Sequence, residues 1–557
     1  MPSADSEATV GDSTQTHEVF NQAPPLVDHN LFDVDLALRE AVAREGGSWG
    51  ETAIRAHGAR CGSAAVIEWG ALANEHKPQL HTHDRVGHRI DMVKYHPSYH
   101  HLMELGLREG LHSAPWTDPK PGAHVVRAAK SYLQGQVEAG HGCPLTMTFA
   151  CVPTLRHEQA LAALWLPKAL ACDYDPRNVP LVDKQALTVG MGMTEKQGGS
   201  DVRANKTRAR PCSTDGALRA YELVGHKWFM SAPMCDAFLM LAQSPAGLSC
   251  FLVPRFRPDG TKNPLELQRL KNKLGNVSNA SSEVELRGAL GFMVGEEGRG
   301  VPTIIDMVAL TRFDCMLGSS AAQRQAVLQA VHHCRHRSAF GNRLCEKPLM
   351  QNVLADLQLE VEGSLALTFR MARALDHQDD EHERLLMRLG TAVGKYWICK
   401  RTPNHAYEAM ECLGGNGVTE DFILARLYRE APINAIWEGS GNVQALDLLR
   451  ALAKTPSVLE AWFAELRISH GKLKALDAAV QQLKDAFVDL NDAEYRARSL
   501  VDQLALTMQA SLLIEAGNTQ VAEAFVRSRL SELGARNYGT LPRGVDCRQI
   551  MARTLAE

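Results

Sequence analysis

Toward the C-terminus, apolar residues recur at a fixed helical interval. Leu459, Trp462, Phe463 and Leu466 fall at i, i+3, i+4 and i+7, and Leu473, Leu476, Val480, Leu483 and Phe487 continue at three- to four-residue spacing. The pattern predicts an amphipathic helical unit over 451–557. Upstream, the only glycines between Pro302 and Pro348 are Gly318 and Gly341, so a long helix is expected there, carrying "GSSAA" (318–322) near its middle. Small residues at that point admit a second helix or a ligand. Further long helices are expected near 350–376 and 383–411. Residues 31–184 also read as mostly helical, with Pro- and Gly-containing breaks near 115–123 and 140–145.

Residues 185–297 have a different texture. The runs "ALTVGMGM", "AYELVGHKWFM", "AFLMLAQ", "LSCFLVP" and "SSEVELRGALGFMV" are short, β-prone and separated by Gly, Asn, Ser and Pro clusters. They predict a compact antiparallel sheet domain. The helical, sheet and helical segments are segregated along the chain, which indicates an α+β fold rather than alternating βαβ units. No G-x-G-x-x-G follows a strand and no G-x-x-x-x-G-K-[ST] occurs, so a nicotinamide or P-loop site has no support. The expected organisation is a loosely held arm (1–30), a helical domain (31–184), a β domain (185–297), a helical bundle (298–450) and an additional helical domain (451–557).

Composition narrows the class. At 557 residues the chain exceeds what one core accommodates. Hydrophobic residues make up 45%, charged residues 22%, and the net charge is −4, which argues against a generally basic, nucleic-acid-coating surface. The 13 cysteines include no C-x-x-C pair, so neither a zinc site nor a disulfide framework is expected, and a reducing cytoplasm suits them. No run long and apolar enough to span a membrane is present, and the polar N-terminus lacks the apolar core of a signal peptide. Six histidines lie between His81 and His101, without a recognised ligand spacing; a metal site is conceivable, but none is expected.

Three loops carry candidate chemistry. "MGMTEKQGGSDV" (191–202) offers the hydroxyls of Thr194 and Ser200 and backbone N–H groups freed by Gly198 and Gly199, which suit a ring edge or a phosphate. "GHKWFMSAP" (225–233) places aromatic residues beside Ser231. "LGGNGVTEDF" (413–422) would let backbone approach a dinucleotide at Gly414, Gly415 and Gly417. Each alone also reads as an ordinary connection or core segment.

Taken in order with "HRSAFGNRLCEKPLMQ" (336–351) and "YREAPINAIWEGSGN" (428–442), these loops resemble the acyl-CoA dehydrogenase superfamily over roughly 185–450. The wording "MGMTEKQGGSDVRANKT", "LKNKLGNVSNASSEVEL" and "LTRFDCMLGSSAAQRQA" is closer to its AidB-type branch, flavoproteins of the bacterial adaptive response to DNA alkylation, which carry an extra C-terminal helical domain. The resemblance implies an FAD site. In the first loop, Met191, Gly192, Met193, Thr194, Glu195, Gly198, Gly199 and Ser200 would contact the cofactor. Phe229, Met230 and Ser231 would border the isoalloxazine, with Phe and Ser standing where the family usually has Trp and Thr. Gly414 and Gly415 would approach the cofactor too, and Trp437, Gly439, Ser440, Gly441 and Asn442 would lie around it. Arg337 and Gln351 match positions that reach the FAD of a neighbouring subunit, which implies a homotetramer.

Glu438 matches the family's catalytic base, which removes the α-proton of an acyl thioester while flavin N5 takes hydride from the β-carbon. A carboxylate in an apolar pocket has its pKa raised toward usefulness. Some members carry the base on the long helix instead; Thr311 stands there and cannot serve. Two functions follow: an acyl-CoA dehydrogenase that passes electrons to an external acceptor; or a flavoprotein that binds double-stranded DNA and keeps a weak, isovaleryl-type acyl-CoA dehydrogenase activity. Between 451 and 557 there are 13 Lys/Arg and 13 Asp/Glu, but residues 527–557 hold six arginines against Glu532, Asp546 and Glu557. Arg450, Arg527, Arg529 and Arg536 are therefore the candidate DNA contacts. A solvated helix face would look alike, and a plain dehydrogenase without a DNA role is the alternative.

Overall fold

The computed structural model describes residues 16–212, 218–530 and 537–555. The arm is not loose throughout: Asn21 exchanges two side-chain bonds with the Ser338 backbone, and His332 bonds the Pro24 carbonyl. The N-terminal domain is helical as expected. Asp35 and Ser63 cap two of its helices, each accepting a backbone N–H three residues on.

One segment departs from that reading. The histidine-rich stretch forms a hairpin, β1 (Gln79–His83) against β2 (Arg89–Lys94). Asp84 accepts the Val86 and His88 N–H groups and Gly87 takes φ +94°, which makes the turn. The six histidines do not converge. His96 stacks on His76, His100 bonds the Tyr174 hydroxyl and His101 lies against the Trp69 ring. Among the described residues no group of three metal-ligating side chains forms.

The β domain comprises β3 (Val189–Gly192), β4 (Arg208–Pro211), β5 (Ala220–Ser231), β6 (Ala237–Ser244), β7 (Gly247–Pro254), β8 (Leu265–Leu270) and β9 (Ser281–Val294). Strand order is β3-β6-β4-β5-β9-β7, with β8 on β9. The sheet is antiparallel except where β3 and β4 run parallel to β6. The hairpin docks on its edge: Asp91 accepts the Leu267 N–H and Arg89 bonds the Leu267 carbonyl.

Three long helices build the bundle: Gly300–His336, Pro348–Asp376 and Glu381–Glu411. The small residues of "GSSAA" admit a second helix on one side and border a cavity on the other. Ser320 bonds Thr368 across a helix contact, whereas Gly318 and Ser319 face Asn434 and an internal cavity. The helix Gly441–Lys454 runs through position 450, so the structural break falls at Thr455 rather than at 450/451.

The tail is amphipathic as its spacing predicts, with Trp462, Leu466, Leu476 and Leu483 buried. Its core is continuous with that of the bundle. Buried ion pairs tie the two together, and they use arginines expected on a DNA face. Arg529 is buried against Asp356 (2.6 Å) and Glu360 (3.3 Å). Arg553 is held by Glu362 and Glu40, and Arg324 bonds the Thr554 carbonyl. Arg527, Arg543 and Arg548 are exposed, and Arg536 lies outside the described residues. The arginine surplus therefore does not form one basic face: an isolated buried cation costs several kcal/mol, so buried arginines are matched to carboxylates.

Candidate active site

A cavity of about 760 Å3 opens where the N-terminal helices, the β domain and the bundle meet. Glu438 stands on its wall. The residue has φ +58° and Gly439 φ +99°, so the loop turns through left-handed backbone on leaving the short helix Ile433–Ile436. A non-glycine residue there carries roughly 1–3 kcal/mol of strain and persists only when its surroundings fix it. Lys395 donates to the carbonyls of Trp437 (2.8 Å) and Gly439 (2.6 Å). Arg312 Nε (3.0 Å) and Gln444 Nε2 (3.1 Å) donate to the Glu438 carbonyl. Arg312 is itself anchored on Asp447. These groups hold the backbone and leave the carboxylate to Thr311, whose hydroxyl donates to Oε2 at 2.9 Å. Burial raises the Glu438 pKa; the Thr311 bond, Arg312 and Lys395 oppose the rise.

The sequence-expected flavin residues divide by strand alternation. Met191, Met193, Thr194, Gly199 and Ser200 line the cavity. Glu195 turns the other way: its carboxylate pairs with buried Lys227 at 3.0 Å and accepts the Lys206 and Thr207 N–H groups, so the side chain braces the loop from inside the β domain. Gly192 packs against the same Lys227 stem, and Gly198 stands clear of the lining. On β5, Phe229 and Ser231 face the cavity and Met230 points into the sheet core. Trp437, Gly439 and Ser440 line the same space, with Trp437 Nε1 on Asn434. Gly441 packs on Lys400 and Tyr396, and Asn442 accepts from Arg498 of the tail.

Four other expected flavin residues lie away from this chain's cavity. Arg337 donates to the Asn21 carbonyl and Gln351 to the Cys345 carbonyl. Gly414 and Gly415 have open space where a side chain would be. Arg450 is exposed at the cavity margin.

Several polar residues of this region escape the sequence reading. Lys395 and Gln444 are helix residues with no motif, and Arg312 lies in "LTRFDCMLGSSAAQRQA" with no role drawn from it. Arg426, Glu430, Lys273 and Cys143 also line the cavity. Burial and the neighbouring Glu138 push Glu430 up to about 7, and burial pulls Lys273 down to about 8 and pushes Cys143 up to about 11. Three elements bring them together, the β8–β9 loop among them. At Gly275 in that loop a Cβ would lie 2.5 Å from the Arg429 carbonyl, so only glycine permits the approach.

Comparison with known proteins agrees with this geometry. Residues 21–176 match the adaptive response protein AidB N-terminal domain, 190–289 the acyl-CoA dehydrogenase middle domain and 298–453 its C-terminal domain. The chain is 46% identical over 527 residues to the AidB protein of Escherichia coli (strain K12), covering 93% of this chain and 95% of that one. It is 30% identical over 471 residues to acyl-CoA dehydrogenase family member 11 of Caenorhabditis elegans, covering 80% and 75%. The solved structure of Caenorhabditis elegans ACDH-11 in complex with C11-CoA superposes with a TM-score of 0.84 at 28% identity, covering 93% of this chain and 94% of that one. The chain therefore belongs to the acyl-CoA dehydrogenase family of FAD-dependent enzymes, in its AidB-type branch.

Proposed function

We propose that the cavity is the site of α,β-desaturation of an acyl-CoA thioester, with Glu438 as the base. The observation that carries this reading is a desolvated carboxylate, fixed by Thr311 and by a braced left-handed turn, on the wall of a cavity bordered by the expected flavin loops. The residues present fit FAD. The wall supplies the Thr194, Ser200 and Ser231 hydroxyls and the Phe229 ring, and its buried polar atoms Gln134 Oε1 and Arg426 Nη1 have no protein partner. Bound FAD supplies the hydride acceptor for the β-carbon. Glu438 takes the α-proton on its carboxylate, and the Thr311 hydroxyl steadies the charged form before that transfer. Arg312 and Lys395 keep the loop carbonyls engaged, so the carboxylate cannot swing away.

A panel of acyl-CoA thioesters with an artificial electron acceptor tests this, read alongside extraction of the bound flavin. Thioester-dependent reduction of bound FAD is expected; FAD-loaded protein inert to every chain length and branch would contradict it.

The branch resemblance also supports a role with duplex DNA in the response to alkylation damage. Exposed Arg450 and Arg527 remain its candidates, joined by exposed Arg543 and Arg548. Phosphate contacts make affinity fall with salt at a log–log slope of roughly −0.9 per phosphate. Duplex binding with that dependence is expected, and no binding at low salt would leave the dehydrogenase alone. A homotetramer in a reducing cytoplasm completes the proposal; Arg337 and Gln351, away from this chain's own cavity, are free to serve a neighbour's. Light scattering that returns a monomer with FAD bound would contradict that assembly.

A further inference from the structure

Behind the hydroxyl of Ser231 runs a chain of polar groups that ends on a cation. Ser231 Oγ lies 3.0 Å from Ser281 Oγ. Lys273 Nζ donates to Ser281 Oγ at 3.0 Å and to the Asn279 carbonyl at 2.8 Å. An ammonium has only donors, and a serine hydroxyl has one proton. With Ser281 accepting from Lys273, its own proton can go to Ser231 Oγ, and the Ser231 proton is then available to the cavity or to the neighbouring Cys143 thiol. In that sense of bonding the ammonium stands behind two hydroxyls in series.

We propose that Lys273 is a positioning residue that acts through Ser281 and Ser231 to hold a donor and a positive charge behind the bound flavin, and so raises its reduction potential. The inference rests on the reading of Ser231 as a flavin-facing residue. Hydride transfer brings two electrons and one proton to the flavin and leaves it one unit more negative. A cation aligned behind a donor hydroxyl favours that product over the oxidised form, because the interaction is made in a site largely shielded from water.

Lys273 titrates within reach of experiment, since its pKa is drawn down to about 8 by burial. The groups that face it are Cys143 on the helix Gly142–Leu155, Glu138 just before that helix, and Glu430 on the helix Ile423–Glu430, with Arg426 one turn earlier. Glu138 is engaged by His141, Gly140, Asn74 and Ser278, and against the effect of burial the His141 and Gly140 bonds hold its pKa down to about 2. Cys143 titrates above the range. Only Glu430, raised to about 7, overlaps with Lys273.

The test is the midpoint potential of the bound flavin against pH, in the wild-type holoprotein and in Lys273→Met, Lys273→Arg and Glu430→Gln. In the wild type, reduction above pH 8 should take up one additional proton, as neutral Lys273 recharges beside the reduced flavin. That steepens the dependence tenfold per pH unit in the equilibrium constant, about 30 mV for two electrons. Lys273→Met should lower the potential at pH 7 and abolish the break, Lys273→Arg should keep the potential, and Glu430→Gln should leave the break in place. An unchanged potential in flavin-loaded Lys273→Met overturns the proposal. If that variant does not hold flavin, a wild-type titration without a break near pH 8, or a break removed by Glu430→Gln, overturns it instead. A wild-type protein that binds no FAD refutes the site reading itself, whereas FAD bound with no effect of Lys273 refutes only this inference.

Discussion

The Thr311 hydroxyl donates to the Glu438 carboxylate at 2.9 Å, across 127 positions of sequence. The same oxygen lies 3.0 Å from the Val308 carbonyl, one turn back on its own helix. One proton cannot serve both acceptors. While Glu438 is ionised, the proton is best placed on the carboxylate, because bonds to charged groups are the stronger. Once Glu438 has taken a proton, its own O–H can donate to Thr311, and Thr311 can turn to Val308. Thr311 thus solvates the carboxylate proposed as the base.

Replacing Thr311 with Val removes the bond that favours the charged form, so the Glu438 pKa rises further. Activity requires the carboxylate and falls as pH drops through this pKa, so the acidic limb of kcat/KM moves to higher pH. A bond to a charged group is worth roughly 1.5–3 kcal/mol, and one pH unit corresponds to about 1.4 kcal/mol. The expected displacement is about one to two units, and Thr311→Ser should restore the wild-type limb. A limb that does not move in Thr311→Val refutes the assignment.

Lys395→Met removes the donor shared by the Trp437 and Gly439 carbonyls. The Gly439 carbonyl keeps the Gln444 donor, so the Trp437 carbonyl is the acceptor left short, at a cost of about 1–3 kcal/mol. Thermal unfolding should therefore come earlier, and turnover should fall although the carboxylate remains. Wild-type stability and turnover together would show that the turn is held by other contacts.

Arg529 and Arg527 separate a buried structural role from a candidate DNA-contacting one among the tail arginines. Arg529→Met leaves Asp356 and Glu360 short of a buried partner, a loss of about 3–5 kcal/mol of stability. Arg527 is exposed, and Arg527→Ala should stay within about 0.5 kcal/mol of wild type. If the tail binds duplex DNA, Arg527→Ala weakens that binding in a fully folded protein. Chemical denaturation alongside a DNA titration checks both; a stable Arg529→Met would contradict its structural role.

The sequence reading went furthest where local pattern and tertiary role coincide. Trp462, Leu466, Leu476 and Leu483 were legible because a 3.6-residue period and burial give the same answer. The family's motif named Phe229, Met230 and Ser231 together, and strand alternation turns Met230 into the sheet core while the other two face the cavity. The hairpin Gln79–Lys94 was not, because its stability comes from docking on β8, which no local window contains. Glu195 sits inside a flavin-loop motif yet faces Lys227, a partner 32 residues on. Arg529 read as a surface cation because burial of a charge depends on a carboxylate from a distant helix. Lys395 had no motif, and Lys273 lay inside "LKNKLGNVSNASSEVEL" without a role of its own; each acquires one only when the β8–β9 loop or the Glu438 turn folds against it.

Glu438→Gln tests the central claim most directly. The substitution keeps the side chain's shape and lets the amide carbonyl accept from Thr311, while removing the base. It also removes the cost of ionising a buried carboxyl. The wild-type carboxyl, with its pKa raised on folding, loses stability as pH climbs from about 4.3 through the raised value. The variant should therefore be no less stable at neutral pH. Turnover of an acyl-CoA that reduces the wild-type enzyme should fall by about 10²–10⁴-fold, with FAD content unchanged. Unaltered turnover in the FAD-loaded variant would show that Glu438 is not the base and that the account of this cavity is wrong.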